Sequence, residues 1–115
     1  MSDREMLELA AKAAGYGFIR WETDEDGIDL AVVNHGYWQP LYLNTSTNCD
    51  GDVLRLAVKM RQMHIDIDIE STAAYRNDVH GIPRHFAGEP HNGDPLAATR
   101  RAIVRAAAEI GRKMQ

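Results

Sequence analysis

The chain has 115 residues, a formal net charge of -4 and a single cysteine, Cys49. This length fits one domain, residues 1–115, and the acidic balance argues against a protein that holds duplex nucleic acid by neutralising its phosphates. There is no run of about 18 apolar residues to cross a membrane. A lone cysteine cannot form an internal disulfide and no export segment opens the sequence, so we expect a cytoplasmic protein.

The first half of the chain predicts one helix and a set of short strands. Ser2 followed by Glu5 is a capping-box pattern, and Gly15 is a common helix stop. The segments FIRWE and IDLAVV flank the turn-rich TDEDG, which predicts a β-hairpin. Pro40 cannot donate a hydrogen bond to a neighbouring strand, so YWQPLYL is predicted to be an edge strand or an irregular extended segment.

The middle of the chain predicts a second helix and a strand pair. Residues 52–62 repeat apolar side chains at helical spacing, and Asp50 or Asp52 can cap this helix. The strand MHIDIDIE, residues 63–70, is followed by STAAYRN, which can pair back with it. Residues 77–93 hold most of the histidines together with prolines and glycines, and they predict a long loop that is functional or mobile.

The strand MHIDIDIE alternates two kinds of side chain, which places them on opposite faces. The apolar face is expected to lie on the core and carries Ile65, Ile67 and Ile69. The other face carries His64, Asp66, Asp68 and Glu70. These side chains are spaced about 6.6 Å apart along one strand, so they cannot easily converge on one metal ion. We predict a solvated sheet face or sheet edge, or carboxylates paired with a helix if helices cover both faces.

The last helix has the clearest signals. Asp94 is placed to cap it, Pro95 occupies its first helical position, and Gly111 lies near its end. Arg100 lies about 40° from Leu96 around the helix axis, on the shoulder of the buried face. Its stem is therefore expected to be held by packing, unlike the outward stripe of Arg101, Arg105 and Arg112.

Three motifs carry a resemblance to known proteins. WxPL at residues 38–41, the Asp-Gly-Asp turn into RLAVK at residues 50–59, and RRAIVRAAAEIG at residues 100–111 resemble small proteins of tailed phages and prophages. The order of elements, ending in a helix that opens with DPLAA, is similar to the phage ABA sandwich domain family. The resemblance spans most of the chain and implies the cytoplasm of a bacterial host. The family offers no established catalytic residues to carry over.

The predicted fold class is α+β. We expect an antiparallel sheet of about four or five strands with three helices packed on it, in an arrangement like an α/β/α sandwich. Apolar contacts from Leu9 and Ile103 are expected to join the first and last helices.

The resemblance implies a non-catalytic phage accessory protein that binds a host component in an anti-defence or host-takeover role, with no cofactor and no resident metal. The partner is either a host protein or a small anionic signalling nucleotide, since arginines beside an aromatic ring can hold phosphates and a base. Duplex nucleic acid and membranes are not expected partners, and a homo-oligomer is compatible with the sequence. The contact is predicted at Arg100, Arg84, His85, Tyr37 and Trp38.

The alternative function is a small metal-assisted hydrolase. His80, His85 and His91 offer imidazole ligands, and Asp78 or Glu89 can add oxygen. Their spacing matches no established zinc signature. The binding protein is therefore the first hypothesis and the hydrolase the second.

Overall fold

The computed structural model describes residues 2–23, 29–34, 41–43, 50–60 and 63–114. Tyr37 and Trp38, which the sequence predicts as contact residues, lie outside these ranges. The described helices are α1 (Asp3–Ala13), α2 (Asp50–Met60) and α3 (Pro95–Arg112). The described strands are β1 (Gly17–Thr23), β2 (Asp29–Asn34), β3 (Leu41–Leu43), β4 (Met63–Ile67), β5 (Ser71–Asn77) and β6 (Pro83–Pro90).

The α+β class with three helices is confirmed in the described part of the chain. Its strands form two antiparallel sheets of three, in the orders β1-β2-β3 and β4-β5-β6, rather than one sheet of four or five. The predicted hairpin is β1 paired with β2, and β3 follows Pro40 as an edge strand. Helix α2 connects the two sheets along the chain, so β3 and β4 are not joined by a turn.

The predicted caps of α1 and α3 are present, whereas α2 begins at Asp50, so Asp50 and Asp52 lie within that helix and neither precedes it. The Ser2 side chain accepts a hydrogen bond from the backbone N–H of Glu5 at 3.1 Å, and that of Asp94 accepts one from Ala97 at 3.0 Å. Each cap satisfies a backbone donor that the first turn of a helix leaves without a partner. None of the described helices is long and apolar enough to span a lipid bilayer.

One hydrophobic cluster joins the three helices to both sheets. Ile103 of α3 belongs to it and Leu9 of α1 packs against it, as predicted. Many of its members are alanines, including four on α3: Ala102, Ala106, Ala107 and Ala108. Small side chains let backbones approach closely. At Gly111 of α3, an added Cβ would lie 1.9 Å from the carbonyl oxygen of Leu9.

The prediction of a long loop over residues 77–93 is wrong, because most of this stretch is β6. Strand β6 pairs with β5 along the edge of the sheet, where prolines at the strand ends are tolerated. The loop is reduced to a turn between Asn77 and Pro83. Asp78 holds this turn by accepting hydrogen bonds from the backbone N–H groups of His80 and Ile82.

The predicted burial of the isoleucine row in MHIDIDIE is also wrong. Ile65 and Ile67 lie opposite Ala74 and Thr72 of β5, and therefore on the same face as these buried residues. Helix α3 covers that face over β5 and β6 but extends little over β4. Ile65 is consequently 38% exposed and Ile67 61% exposed, while Ile69 lies in the turn after β4 and is 90% exposed.

Candidate functional site

An open groove lies where β4, α2 and α3 meet, with a volume of about 430 Å³. Its apolar lining comes from all three elements and consists of Val53, Leu54, Ile65, Ile67, Leu96 and Ile103. Thr99 and Arg100 add polar atoms from α3. The groove exists because α3 leaves β4 uncovered, so the isoleucines of the strand form one of its walls.

The side chains that line the groove differ in how deeply they are buried. Val53 and Ile103 are buried at 1% and 5% exposure and form its inner part. Leu54 and Leu96 are 61% and 66% exposed and form its rim. Large apolar side chains that remain exposed together around a concavity are typical of binding surfaces.

Arg100 is the charged residue of this groove. Its exposure is 4%, which agrees with its predicted position on the shoulder of the buried face of α3. It makes a polar or charged interaction within the chain, so its side chain is already positioned. A guanidinium held in this way loses little conformational freedom when a ligand binds beside it.

Arg84 does not lie beside Arg100. It stands near the start of β6, where its Nε is 3.1 Å from a carboxylate oxygen of Asp78. Thr99, the neighbour of Arg100 in α3, contacts Thr72 of β5. Thr72 pairs with Glu89 of β6, so Arg100 lies near the Glu89 end of that strand. Arg84 is five residues from Glu89 along the strand, a separation of about 17 Å. The backbone of His85 follows Arg84 in β6, and its side chain lies outside the described residues.

The histidines proposed as metal ligands are spread along the sheet. His80 lies in the turn before β6 and His91 directly follows its last residue, so the eight residues of the strand separate them by about 26 Å. That distance prevents the two from sharing one metal ion. Within the described ranges, no group of three or more His, Cys, Asp and Glu side chains could hold a metal ion.

His91 has a different role, which the sequence did not reveal. Its Nε2 lies 2.8 Å from the hydroxyl of Thr72, and its Nδ1 lies 3.2 Å from the carbonyl oxygen of Ile69. Thr72 is fully buried and also contacts the hydroxyl of Thr99 at 3.1 Å. This network ties the first turns of α3 to β5 and so fixes one side of the groove.

His64 and Asp66 of β4 face away from the groove and are exposed, as expected of a solvated sheet face. Asp68 and Glu70, predicted to continue this row, lie in the turn after β4 and are also exposed. The His64 ring stacks on Tyr75 of β5, with centroids 5.2 Å apart and an angle of 7° between the planes. Asp68 accepts a hydrogen bond from the backbone N–H of Ile69 in the turn.

Sequence reasoning located Arg100 but missed the groove around it. Alternation in MHIDIDIE showed that the isoleucines share a face, but not that α3 would stop short of them. The exposed leucines Leu54 and Leu96 lie within helices that are otherwise amphipathic, and nothing in their spacing marks them as rim residues.

Comparisons with known protein families, characterised proteins and solved structures found no match to this chain.

Proposed function

We propose that the protein is a non-catalytic phage or prophage accessory protein that binds a host component in the groove between β4, α2 and α3. Its role would be to neutralise a host defence or to redirect a host enzyme. The observation that carries this proposal is an open groove with large apolar walls and a buried arginine at its side. Arginine is one of the residues enriched at protein-binding hot spots, and a concave apolar surface with a few placed polar groups is typical of binding sites.

The chemistry of the groove favours a segment of a host protein over a small anionic nucleotide. Its described lining is mostly aliphatic, with Arg100 and Thr99 as the polar members. A nucleotide needs several donors for its phosphates and a flat ring for its base. A peptide with apolar side chains and one carboxylate matches the groove better, because the side chains can fill the apolar walls while the carboxylate approaches Arg100.

The metal-assisted hydrolase is the weaker candidate. It needs at least three ligands that converge on one ion, and His80 and His91 lie at opposite ends of β6. In addition, both ring nitrogens of His91 are within hydrogen-bonding distance of other groups.

Site-specific photocross-linking in host cells tests the proposal. A photoreactive amino acid at Leu54, on the rim of the groove, should cross-link to one defined host protein. The matched control is the same amino acid at Val79, which is 95% exposed in the turn after β5 and does not line the groove. Cross-linking to the same host protein from both positions, or from neither, would contradict a binding site in the groove.

Two adjacent arginines provide the second arm of the test. Arg100→Gln should weaken binding of the recovered host protein by about tenfold or more, as expected for a charged hot-spot contact. Arg101→Gln changes an exposed neighbour on the same helix and should leave binding almost unchanged. Melting temperatures of both variants show whether the fold is retained. Equal losses of binding in the two folded variants would show that the contact depends on net charge and not on the groove.

A further inference from the structure

Strand β4 ends its sheet with an open edge. In the order β4-β5-β6 it is a terminal strand, and among the residues that the structure describes no strand pairs with its other side. Both edge strands of a sheet can recruit another strand, and proteins usually protect such edges with charge, proline or a covering element. Strand β6 has prolines at both ends, whereas β4 has none.

The hairpin between β4 and β5 shows which backbone groups point to the open edge. The N–H of Asp68 donates to the carbonyl oxygen of Ser71 at 2.8 Å, so Asp68 directs its backbone groups toward β5. Because these directions alternate along an antiparallel strand, Asp66 and His64 also direct theirs toward β5. The N–H and C=O groups of Met63, Ile65 and Ile67 therefore point outward.

We propose that β4 pairs with β4 of a second copy of this chain, antiparallel and with the two-fold axis at Ile65. Ile65 then lies opposite Ile65 of the second copy, and Met63 lies opposite Ile67. These residues carry the outward backbone groups, so six hydrogen bonds can form between the strands. The β4-β5-β6 sheets of the two copies then form one continuous sheet of six strands.

Charge selects this register. When Ile65 is at the axis, His64 of each copy lies opposite Asp66 of the other, at the positions where side chains across an antiparallel pair are closest. An imidazole N–H of His64 can donate a hydrogen bond to the carboxylate of Asp66 at this distance, and the symmetry repeats the pair. A shift that places Asp66 at the axis brings the two Asp66 carboxylates together, and like charges directly opposite are destabilising.

The apolar side chains favour the same partner. Residues opposite each other across a strand pair share a face, so Ile65 and Ile67 would meet Ile65 and Met63 of the second copy on the groove side of the sheet. This contact covers isoleucine surface that is 38% and 61% exposed in the single chain. A second copy supplies a carboxylate that can accept a hydrogen bond from His64 on one face and apolar side chains on the other, without any other component. The inference goes beyond the proposed host ligand and does not require it.

Sedimentation velocity of the purified full chain, over a wide range of concentrations, tests this inference. We expect a reversible monomer–dimer equilibrium, with the dimer at twice the chain mass of 12.9 kDa. His64→Asp places two aspartates opposite each other, and Asp66→Lys places a lysine opposite a histidine. Each single substitution should weaken dimerisation by on the order of tenfold, because it acts on two symmetric pairs.

The double variant His64→Asp, Asp66→Lys places opposite charges together only if residue 64 faces residue 66 of the second copy. Recovery of dimerisation in this variant would support both the interface and its register. In the register centred on Asp66, the same variant would instead place two lysines together. Circular dichroism of each variant verifies folding, which matters because His64 also stacks on Tyr75.

Three outcomes would overturn the inference: a wild-type chain that stays monomeric at every concentration, dimers that neither single variant weakens, or a double variant that fails to recover. A chain that stays monomeric alone but pairs β4 with a strand of a host protein would also overturn it. Because these measurements use no ligand, a failure here leaves the groove proposal to be judged by its own cross-linking result.

Discussion

The β4-β5-β6 sheet has a covered half and an open half on the same face. Thr72 and Ala74 of β5 are fully buried beneath α3, while Ile67 and Ile65, directly opposite them in β4, are 61% and 38% exposed. The small side chains thus lie under the helix and the large ones lie outside it. This arrangement lets α3 pack close to β5 and β6, and it leaves the most apolar residues of the sheet for the groove and the edge.

The covered half depends on α3 being held against α1, and the largest expected effect comes from that contact. Gly111→Ala would place a Cβ 1.9 Å from the carbonyl oxygen and 2.8 Å from the carbonyl carbon of Leu9. Because the obstacle is backbone, the helices must separate. We expect a loss of about 4 kcal/mol in the free energy of unfolding, above the usual cost of overpacking, measured by urea denaturation.

Gly17→Ala is the control for this substitution. An added Cβ at Gly17 would have no heavy atom within 4 Å, and the residue is exposed at the start of β1. Its free energy of unfolding should change by less than about 1 kcal/mol. Similar losses in the two variants would show that the close approach of α1 and α3 is not a main source of stability.

Replacing an isoleucine with alanine on each side of the groove should lower the free energy of unfolding by different amounts in the covered half and the open half. Ile103 of α3 is 5% exposed and belongs to the core, so Ile103→Ala should cost about 3 kcal/mol. Ile67→Ala removes a side chain that is 61% exposed and should cost less than about 1 kcal/mol. Both are measured by urea denaturation at concentrations where the chain is monomeric. Equal costs would mean that β4 is covered in solution.

Local signals in the sequence predicted the elements better than their relative positions. The caps at Ser2 and Asp94 depend on residues three apart in the chain, and both are present. Strand β6 was missed because Pro83, Gly88 and Pro90 argue against a strand when read alone. It is a strand because β5 supplies its hydrogen-bonding partner, and that pairing is not encoded in the segment itself.

The candidate site was only partly predictable for the same reason. Helical spacing placed Arg100 on the shoulder of a buried face, which needs knowledge of α3 alone. Bringing Arg84 to the same place required a flexible loop, and the strand that replaced the loop holds Arg84 at the other end of the sheet. The exposure of Ile65 and Ile67 depends on where α3 crosses the sheet, a packing property that alternation within β4 does not contain.

The buried hydroxyl of Thr72 gives a prediction of intermediate size. Thr72→Val keeps the shape of the side chain but removes its contacts with His91 at 2.8 Å and Thr99 at 3.1 Å. The expected loss is about 1.5 kcal/mol, because the partly buried side chains of His91 and Thr99 lose a partner. Thr99→Val removes one of the two contacts and should cost less. Additive losses in the double variant would contradict a shared network.

The smallest expected effect is at the turn joining the covered strands, and it depends on pH. The pKa of Asp78 is lowered from 3.8, chiefly by the hydrogen bond from the backbone N–H of Ile82; desolvation opposes this shift, and His80 and Arg84 lower the pKa further. A carboxyl group whose pKa is lower in the folded state stabilises the protein fully above its unfolded pKa. That stabilisation is lost as the pH falls through the folded value. Asp78→Asn should therefore be slightly less stable than the wild type at neutral pH, and the difference in unfolding free energy should shrink below about pH 3.8.

The contribution of the backbone to this pH dependence can be isolated by removing only the ion pair. Arg84→Gln leaves the hydrogen bonds from Ile82 and His80 to Asp78, at 3.0 and 2.8 Å, in place. Because the Ile82 hydrogen bond is the largest cause of the lowered pKa, this variant should keep most of the pH dependence in urea denaturation between neutral and acid pH. If Arg84→Gln abolishes the dependence as completely as Asp78→Asn, the exposed ion pair rather than the turn backbone stabilises the charged carboxylate. The turn of the covered half would then be held by a surface contact, and added salt should weaken it in the wild type.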